Sequence, residues 1–171
     1  MATGNESHVL IAMDESPHSD YAFEWYLENV HKPNTYVILF HAVEYHMIAT
    51  MPMGVGSAEL INQTIMEEKG RAEAYLKKLT TMMKEHHLHG KVKQTTGPPR
   101  TEIIRVAEED KADVIICGTR GMGTVRRTLL GSVSDHVMHH SHVPVLVCRH
   151  KDDPHHHHLG HHHEPQKEIK M

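Results

Sequence analysis

The chain has 171 residues, 39% of them hydrophobic and 23% charged, with a formal net charge of −4 when histidines are neutral. This is the composition of a folded domain with a sizeable core, and its acidic balance argues against a nucleic-acid binder that relies on general basicity. No apolar run approaches the roughly 20 residues a membrane helix requires, and the opening MATGNESHVLIAMDES carries no basic stretch ahead of its short apolar run, so the expected location is the cytoplasm, away from membranes.

In chain order, the first apolar run is His8–Asp14 (HVLIAMD), short and nearly continuous, as in a strand buried on both faces of a parallel sheet. A helix follows, with Ser16 as N-cap, Pro17 at the first helical position and Asp20 in the first turn. Tyr21, Ala22, Trp25, Tyr26 and Val30 lie at helical spacing, and Pro33 stops it. Trp25 is read as helix-to-sheet packing. Thr35–Glu44 (TYVILFHAVE) is a second buried strand; its His41 fits a hydrogen-bonded core histidine better than a catalytic base. After a loop with Pro52, Gly54 and Gly56, a long helix is expected over Ala58–His87. Gly70 is a candidate bend, Met66, Met82 and Met83 are read as core filler, and Gly90 is read as the stop.

Lys91–Gly97 alternates in polarity and reads as a strand near an edge. Pro98-Pro99 breaks the chain, and Thr101 is placed to cap a short helix with Ile103, Ile104, Val106 and Ala107 inward. Ala112–Gly118 (ADVIICG) is the fourth buried strand. SVSDHVMHHSH reads as a helix with Val133, Val137 and Met138 on one face, and Val143–Arg149 (VPVLVCR) as a last strand with edge character from Pro144. Strands that alternate with helices predict a parallel sheet covered by helices on both faces, with right-handed crossovers. Residues 1–150 are read as the folded domain and 151–171, polar and rich in histidine and proline, as a disordered tail.

Cys117 and Cys148 end apolar runs without CxxC spacing and are read as reduced, buried thiols. Of twenty histidines, seven fall in HHHHLGHHH, His155–His163. A solvated tail, a metal-binding tail and a purification tag compete to explain them, the first being preferred because Leu159-Gly160 interrupts the run and EPQKEIKM follows it. His136 and His140 share the i,i+4 spacing that can bind metal, but with no third ligand in reach a solvent-facing stripe is the better reading.

Four glycines fall within the fourteen residues from Gly118 to Gly131. Glycine is costly in ordered structure, so such clustering signals a sharp turn or a close approach to something. Gly118, Gly121 and Gly131 would let backbone amides near a phosphate, and Gly131-Ser132-Val133-Ser134 opens a helix whose free amides and dipole would face an anion. Ser132 and Ser134 add hydroxyls, and Asp14, after the first strand, is placed to accept from a ribose hydroxyl. No Gly-Lys-Ser/Thr of a P-loop appears, and the first turn, Asp-Glu-Ser-Pro, is not a Rossmann fingerprint. On glycine count alone a flexible loop is an equal reading.

The segment GTRGMGTVRRTLLGSVSDHVMHHSHVPVLVCR resembles the C-terminal signature of the universal stress protein family. That signature, Gly-x2-Gly-x9-Gly-Ser/Thr in the nucleotide-binding branch, is matched by Gly118, Gly121 and Gly131-Ser132. VLIAMDESPHSDYAFEWYLE is similar to the family's first strand and helix, and GPP at Gly97 to the end of its third strand, so the resemblance covers about residues 8–149. It implies an α/β three-layer sandwich of the adenine nucleotide alpha hydrolase-like kind, a five-stranded parallel sheet in the order 3-2-1-4-5. It implies a homodimer through the last strand, Val143–Arg149. It further implies ATP as ligand: Asp14 on the ribose, the backbone around Ala42 at the adenine, Gly118 and Gly121 along the ribose-phosphate path, and Gly131, Ser132, Val133 and Ser134 around the phosphates. Ala42 departs from the β-branched residue the family often has there. Asp14 and Glu15 together could hold Mg²⁺ through the phosphates, although Glu15 reads better as helix-entry charge; Arg126 and Arg127 are γ-phosphate candidates or a solvated loop pair, the latter reading being preferred for Arg127. The function expected is a cytosolic nucleotide-dependent switch or sensor in a stress response. A slow Mg²⁺-dependent ATPase, and a nucleotide-independent scaffold or metal-binding protein using the histidine tail, are the alternatives.

Overall fold

A computed structural model describes residues 6–44, 58–120 and 130–149. In chain order the elements are β1 (Ser7–Ala12), α1 (Pro17–Asn29), β2 (Thr35–Val43), α2 (Ala58–Glu85), β3 (Gly90–Thr96), α3 (Pro99–Glu109), β4 (Val114–Gly118), α4 (Ser132–His140) and β5 (Val145–Cys148). The strands form one sheet in the order β3-β2-β1-β4-β5, and every pairing is parallel. β1 is central: Ser7 pairs with Thr35 and Ala12 with Phe40 on one side, and Val9 pairs with Val114 on the other.

The apolar runs have this placement as their cause. Leu10 and Ile11 are wholly buried although they point to opposite faces, so β1 has no solvent side on which a polar residue would be favourable. On one face Val9, Ile11, Val37, Leu39 and Ile116 pack against Phe23 and Tyr26 of α1 and Tyr75, Leu79 and Met83 of α2. On the other, Leu10, Ile38, Phe40 and Ile115 pack against Ile103, Val106 and Ala107 of α3 and Val137 of α4. The result is the three-layer sandwich with helices on both faces.

Ser16 caps α1 as its position suggested, its hydroxyl accepting from the Ser19 amide at 3.2 Å. Trp25 lies partly buried against the α1/α2 core. Several local expectations shift. Thr101 does not cap α3: Pro98 occupies the N-cap, Pro99 starts the helix, and the Thr101 hydroxyl donates to the Pro98 carbonyl at 3.0 Å. Gly90 does not stop α2, which ends at Glu85; it opens β3 at a φ of 154°. Met83 enters the core, but Met66 is 71% exposed and Met138 45% exposed, so helical spacing alone misassigned them. α2 runs unbroken through Gly70.

Candidate functional site

β2, β1 and β4 are neighbours, and their carboxyl ends form one edge. Ligands of open α/β sheets collect at this edge, where connections leave in opposite directions on either side of a central strand. Asp14 lies two residues beyond β1, Ala42 near the end of β2, and Gly118 at the end of β4. The topology thus brings to one edge three residues far apart in sequence.

Asp14 is half-buried and held on all sides. Its Oδ1 accepts from the Ser16 hydroxyl at 2.6 Å and the Ser16 amide at 3.1 Å, and its own amide donates to the Ser19 hydroxyl at 3.3 Å. Glu15 has a φ of 63°, left-handed and unfavourable for a residue with a Cβ. Its amide donates to the Tyr75 hydroxyl of α2 at 2.9 Å, which compensates that conformation. On the other flank, Nδ1 of His41 donates to the carbonyl of Met13 at 2.8 Å, and the His41 ring meets Tyr75 edge-on with centroids 4.7 Å apart. The turn that presents Asp14 is therefore fixed from α1, α2 and β2 together. Burial, with the acidic groups of Asp20, Asp14 and Glu15 nearby, pushes the Tyr75 phenol far above its ordinary value despite the opposing bond from the Glu15 amide, so its oxygen stays a neutral acceptor.

Gly118 is a contact glycine. A Cβ there would sit 2.6 Å from the His18 carbonyl oxygen and 2.7 Å from its carbon, so only a residue without a side chain lets the first turn of α1 close on the end of β4. At the start of α4, Gly131 is the N-cap and no side chain caps the helix. The amide of Gly131 is not free: it donates to the Thr119 carbonyl at 2.6 Å. The Ser134 hydroxyl is also committed, to the Thr119 carbonyl at 3.0 Å and the Gly131 carbonyl at 3.1 Å. These bonds tie the first turn of α4 to the end of β4. The first helical bond runs from the Asp135 amide to Gly131, at 2.9 Å, so the amides of Ser132, Val133 and Ser134 have no acceptor among the described residues. Ser132 is exposed and Val133 half-buried. Thr119 is 3% exposed, and its Oγ1 lacks a hydrogen-bond partner among the described residues. An uncapped helix start beside an unpaired buried hydroxyl is a donor set suited to an anion.

The expected site residues are thus distributed as follows. Asp14, Ala42 and Gly118 share the carboxyl edge, and Gly131–Ser134 are tied to its β4 end. The Ala42 side chain packs partly buried against the α3/α4 core, so its backbone is what the edge offers. Gly121, Arg126 and Arg127 lie outside the described residues. Thr119, Tyr75 and His41 support the site without having been singled out for it; only the position of Thr119 inside the glycine motif was a signal. Beside Glu15 an open groove is lined by Arg71, Ala74, Tyr75 and Lys78, with Lys78 Nζ 3.7 Å from Asp20 Oδ2. Cys117 and Cys148 are both buried and unpaired. Cys117 is opposite Val147, and Cys148 opposite Gly118, so the two thiols face opposite sides of the sheet.

Residues 6–149 match the universal stress protein family. Among curated relatives, Universal stress protein MJ0531 of Methanocaldococcus jannaschii is 40% identical over 94 residues, 55% of this chain and 54% of that protein. Universal stress protein MJ0577 of the same organism is 35% identical over 96 residues, 55% of this chain and 56% of that protein. The chain thus aligns with about half the length of these relatives. The solved structure of MJ0577 superposes with a TM-score of 0.71 at 24% identity, covering 86% of this chain and 98% of that one. A universal stress protein family protein of Arabidopsis thaliana, solved with AMP bound, superposes with a TM-score of 0.60 at 20% identity over 86% of this chain and 94% of that one. A universal stress protein in complex with cAMP does so with a TM-score of 0.58 at 22% identity over 83% and 96%. At these identities the superpositions establish the fold.

Proposed function

The chain belongs to the universal stress protein family, and from that premise we propose that it binds an adenine nucleotide at the carboxyl edge of β1, β2 and β4 and acts as a nucleotide-dependent switch in a stress response. The observation that carries this reading is the uncapped start of α4, tied to the end of β4 through Thr119. There the amides of Ser132, Val133 and Ser134, together with the positive end of the helix dipole, would hold the phosphates. The Gly131 amide supports that cradle by bonding Thr119 instead of the ligand. Asp14, oriented by Ser16, would accept from the ribose hydroxyls. The backbone at Ala42 would meet the adenine, and Gly118 and Gly121 would leave room along the ribose-phosphate path. AMP in one structural neighbour and cAMP in another support adenine as the base.

ATP is the nucleotide proposed. Among the described residues no group of three or more His, Cys, Asp or Glu side chains could hold a metal ion, so Mg²⁺ would draw its oxygens mainly from phosphate and water, with Asp14 nearby. The proposal includes a cytoplasmic location, a polar tail over residues 151–171 outside the binding domain, and a homodimer through Val143–Arg149, whose strand β5 is an edge of the sheet.

The decisive experiment is calorimetric titration of ATP, AMP and cAMP into the chain and into Ser132→Asp. Ser132 is exposed, so the change leaves the core intact, and an acid in the first turn adds about 0.3–1 kcal/mol of helix-dipole stabilisation. The variant is expected to melt no lower than the parent while losing nucleotide binding. Unchanged affinity in a folded Ser132→Asp chain refutes the phosphate assignment.

A further inference from the structure

At the other end of α4 stands a feature that the nucleotide reading does not use. We propose that His136 and His140 form a two-ligand site for a borderline divalent transition metal such as Ni²⁺, Zn²⁺ or Cu²⁺. The two imidazole rings lie face to face, with centroids 4.0 Å apart and an interplanar angle of 13°. His140 Nδ1 lies 2.9 Å from the His136 carbonyl oxygen. A carbonyl only accepts, so Nδ1 carries the proton and the lone pair of Nε2 is left for a metal, as in histidines whose second nitrogen is held by a backbone carbonyl. Bonds of about 2.0–2.1 Å from two imidazoles to one tetrahedral ion require nitrogens roughly 3.3 Å apart. The two side chains rise one helical turn apart on the same helix face, and rotation about their side-chain torsions out of the stacked arrangement turns the two in-plane lone pairs toward a common ion.

The scaffold holds the pair in place, and the helix dipole offsets the positive charge of the nearby Arg100. Val137, between the two histidines, is wholly buried, and the Ser134 hydroxyl anchors the preceding turn to Thr119. The pair lies in the C-terminal half of α4, where the helix dipole attracts positive charge. Imidazole nitrogens select borderline metals over Mg²⁺ or Ca²⁺, with Cu²⁺ bound most tightly of the three. Two protein ligands leave the remaining coordination positions to water or to a donor from outside the helix.

The chain also contains His155–His163, so the test must separate the two sources of binding. A chelate among close neighbours in sequence is available to the unfolded chain as well, whereas the His136–His140 chelate requires the helix; only the latter raises the melting temperature. The full chain is melted with NiCl₂ from zero to about ten times the dissociation constant. A rise of about 4 °C is expected for the parent and for His139→Ala, and none for His136→Ala or His140→Ala. All three variants should melt like the parent without metal. Nuclear magnetic resonance of the same samples should show Ni²⁺ broadening of the Val137 and Met138 amides in the parent, lost in His136→Ala. No rise in the parent, an equal rise in His136→Ala or His140→Ala, or loss of the rise in His139→Ala overturns the assignment.

Discussion

The hydroxyl of Tyr75 accepts a 2.9 Å hydrogen bond from the backbone amide of Glu15, sixty residues earlier in the chain. This bond joins the middle of α2 to the turn that presents Asp14, at a residue whose φ of 63° is otherwise unfavourable. Tyr75→Phe removes the acceptor and keeps the ring against His41. It is expected to cost about 1–2 kcal/mol of stability. Because the Asp14 turn relaxes, it should also weaken nucleotide binding several-fold; urea unfolding and calorimetric titration measure the two effects.

Two glycines should respond in opposite ways to alanine. At Gly118 the new methyl would meet the His18 carbonyl at 2.6 Å, a backbone atom that moves only if α1 moves. Gly118→Ala is expected to lose about 2–3 kcal/mol. Gly70, inside α2, has nothing within 4 Å of its would-be Cβ, and Gly70→Ala should gain about 0.5–1 kcal/mol from helix propensity and a less flexible unfolded chain. Denaturant midpoints of the two variants give the comparison directly.

Burial pushes the Cys117 thiol up to about 12 and the Cys148 thiol to about 11, the former also through the nearby Cys148 and Asp14. Both are then protonated at pH 8 and inaccessible. Iodoacetamide at that pH is expected to leave both unmodified in the folded chain and to alkylate both in guanidinium, with mass spectrometry counting the adducts.

Asp110 links β3 to α3. Its side chain is 12% exposed, with Lys91 Nζ at 2.8 Å and Lys93 Nζ at 3.2 Å. Burial alone would raise its pKa, but the bonds and charges of the two lysines hold it below the ordinary aspartate value. With the folded pKa depressed, the contribution is complete above the unfolded aspartate pKa of about 4 and disappears as pH falls through the folded value. Asp110→Asn should therefore lose about 1 kcal/mol at pH 7 and show a flatter fall in stability as pH drops from 7 to below about 4. Thermal melts across that range test both parts.

The sheet was legible in the sequence because burial on both faces leaves a mark that does not depend on distant partners. Runs such as VLIA and VILF are apolar at every position, and the helices between them require parallel pairing. The Ser16 cap was legible because a cap is local. Tyr75 was not: in α2 it occupies one more apolar position, and its bond to Glu15 depends on where two elements dock. Met66 and Met138 show the converse error, since spacing identifies a helical face but not whether a neighbour covers it. At the glycine motif the sequence indicated a helix start but not that the Gly131 amide and Ser134 hydroxyl are used within the protein.

The central pairing of β1 with β4 has a consequence for how the protein is made. The amide of His8 bonds the Asp113 carboxylate across 105 residues, and the β1–β4 ladder starts beside it. Closing so long a loop costs on the order of 4 kcal/mol in chain entropy. While a ribosome is still short of α4, β1 and β2 can already associate, yet Asp14 has no helix start to work with. On the proposed nucleotide reading, a growing polypeptide would therefore gain its phosphate cradle only once α4 has emerged and docked on β4.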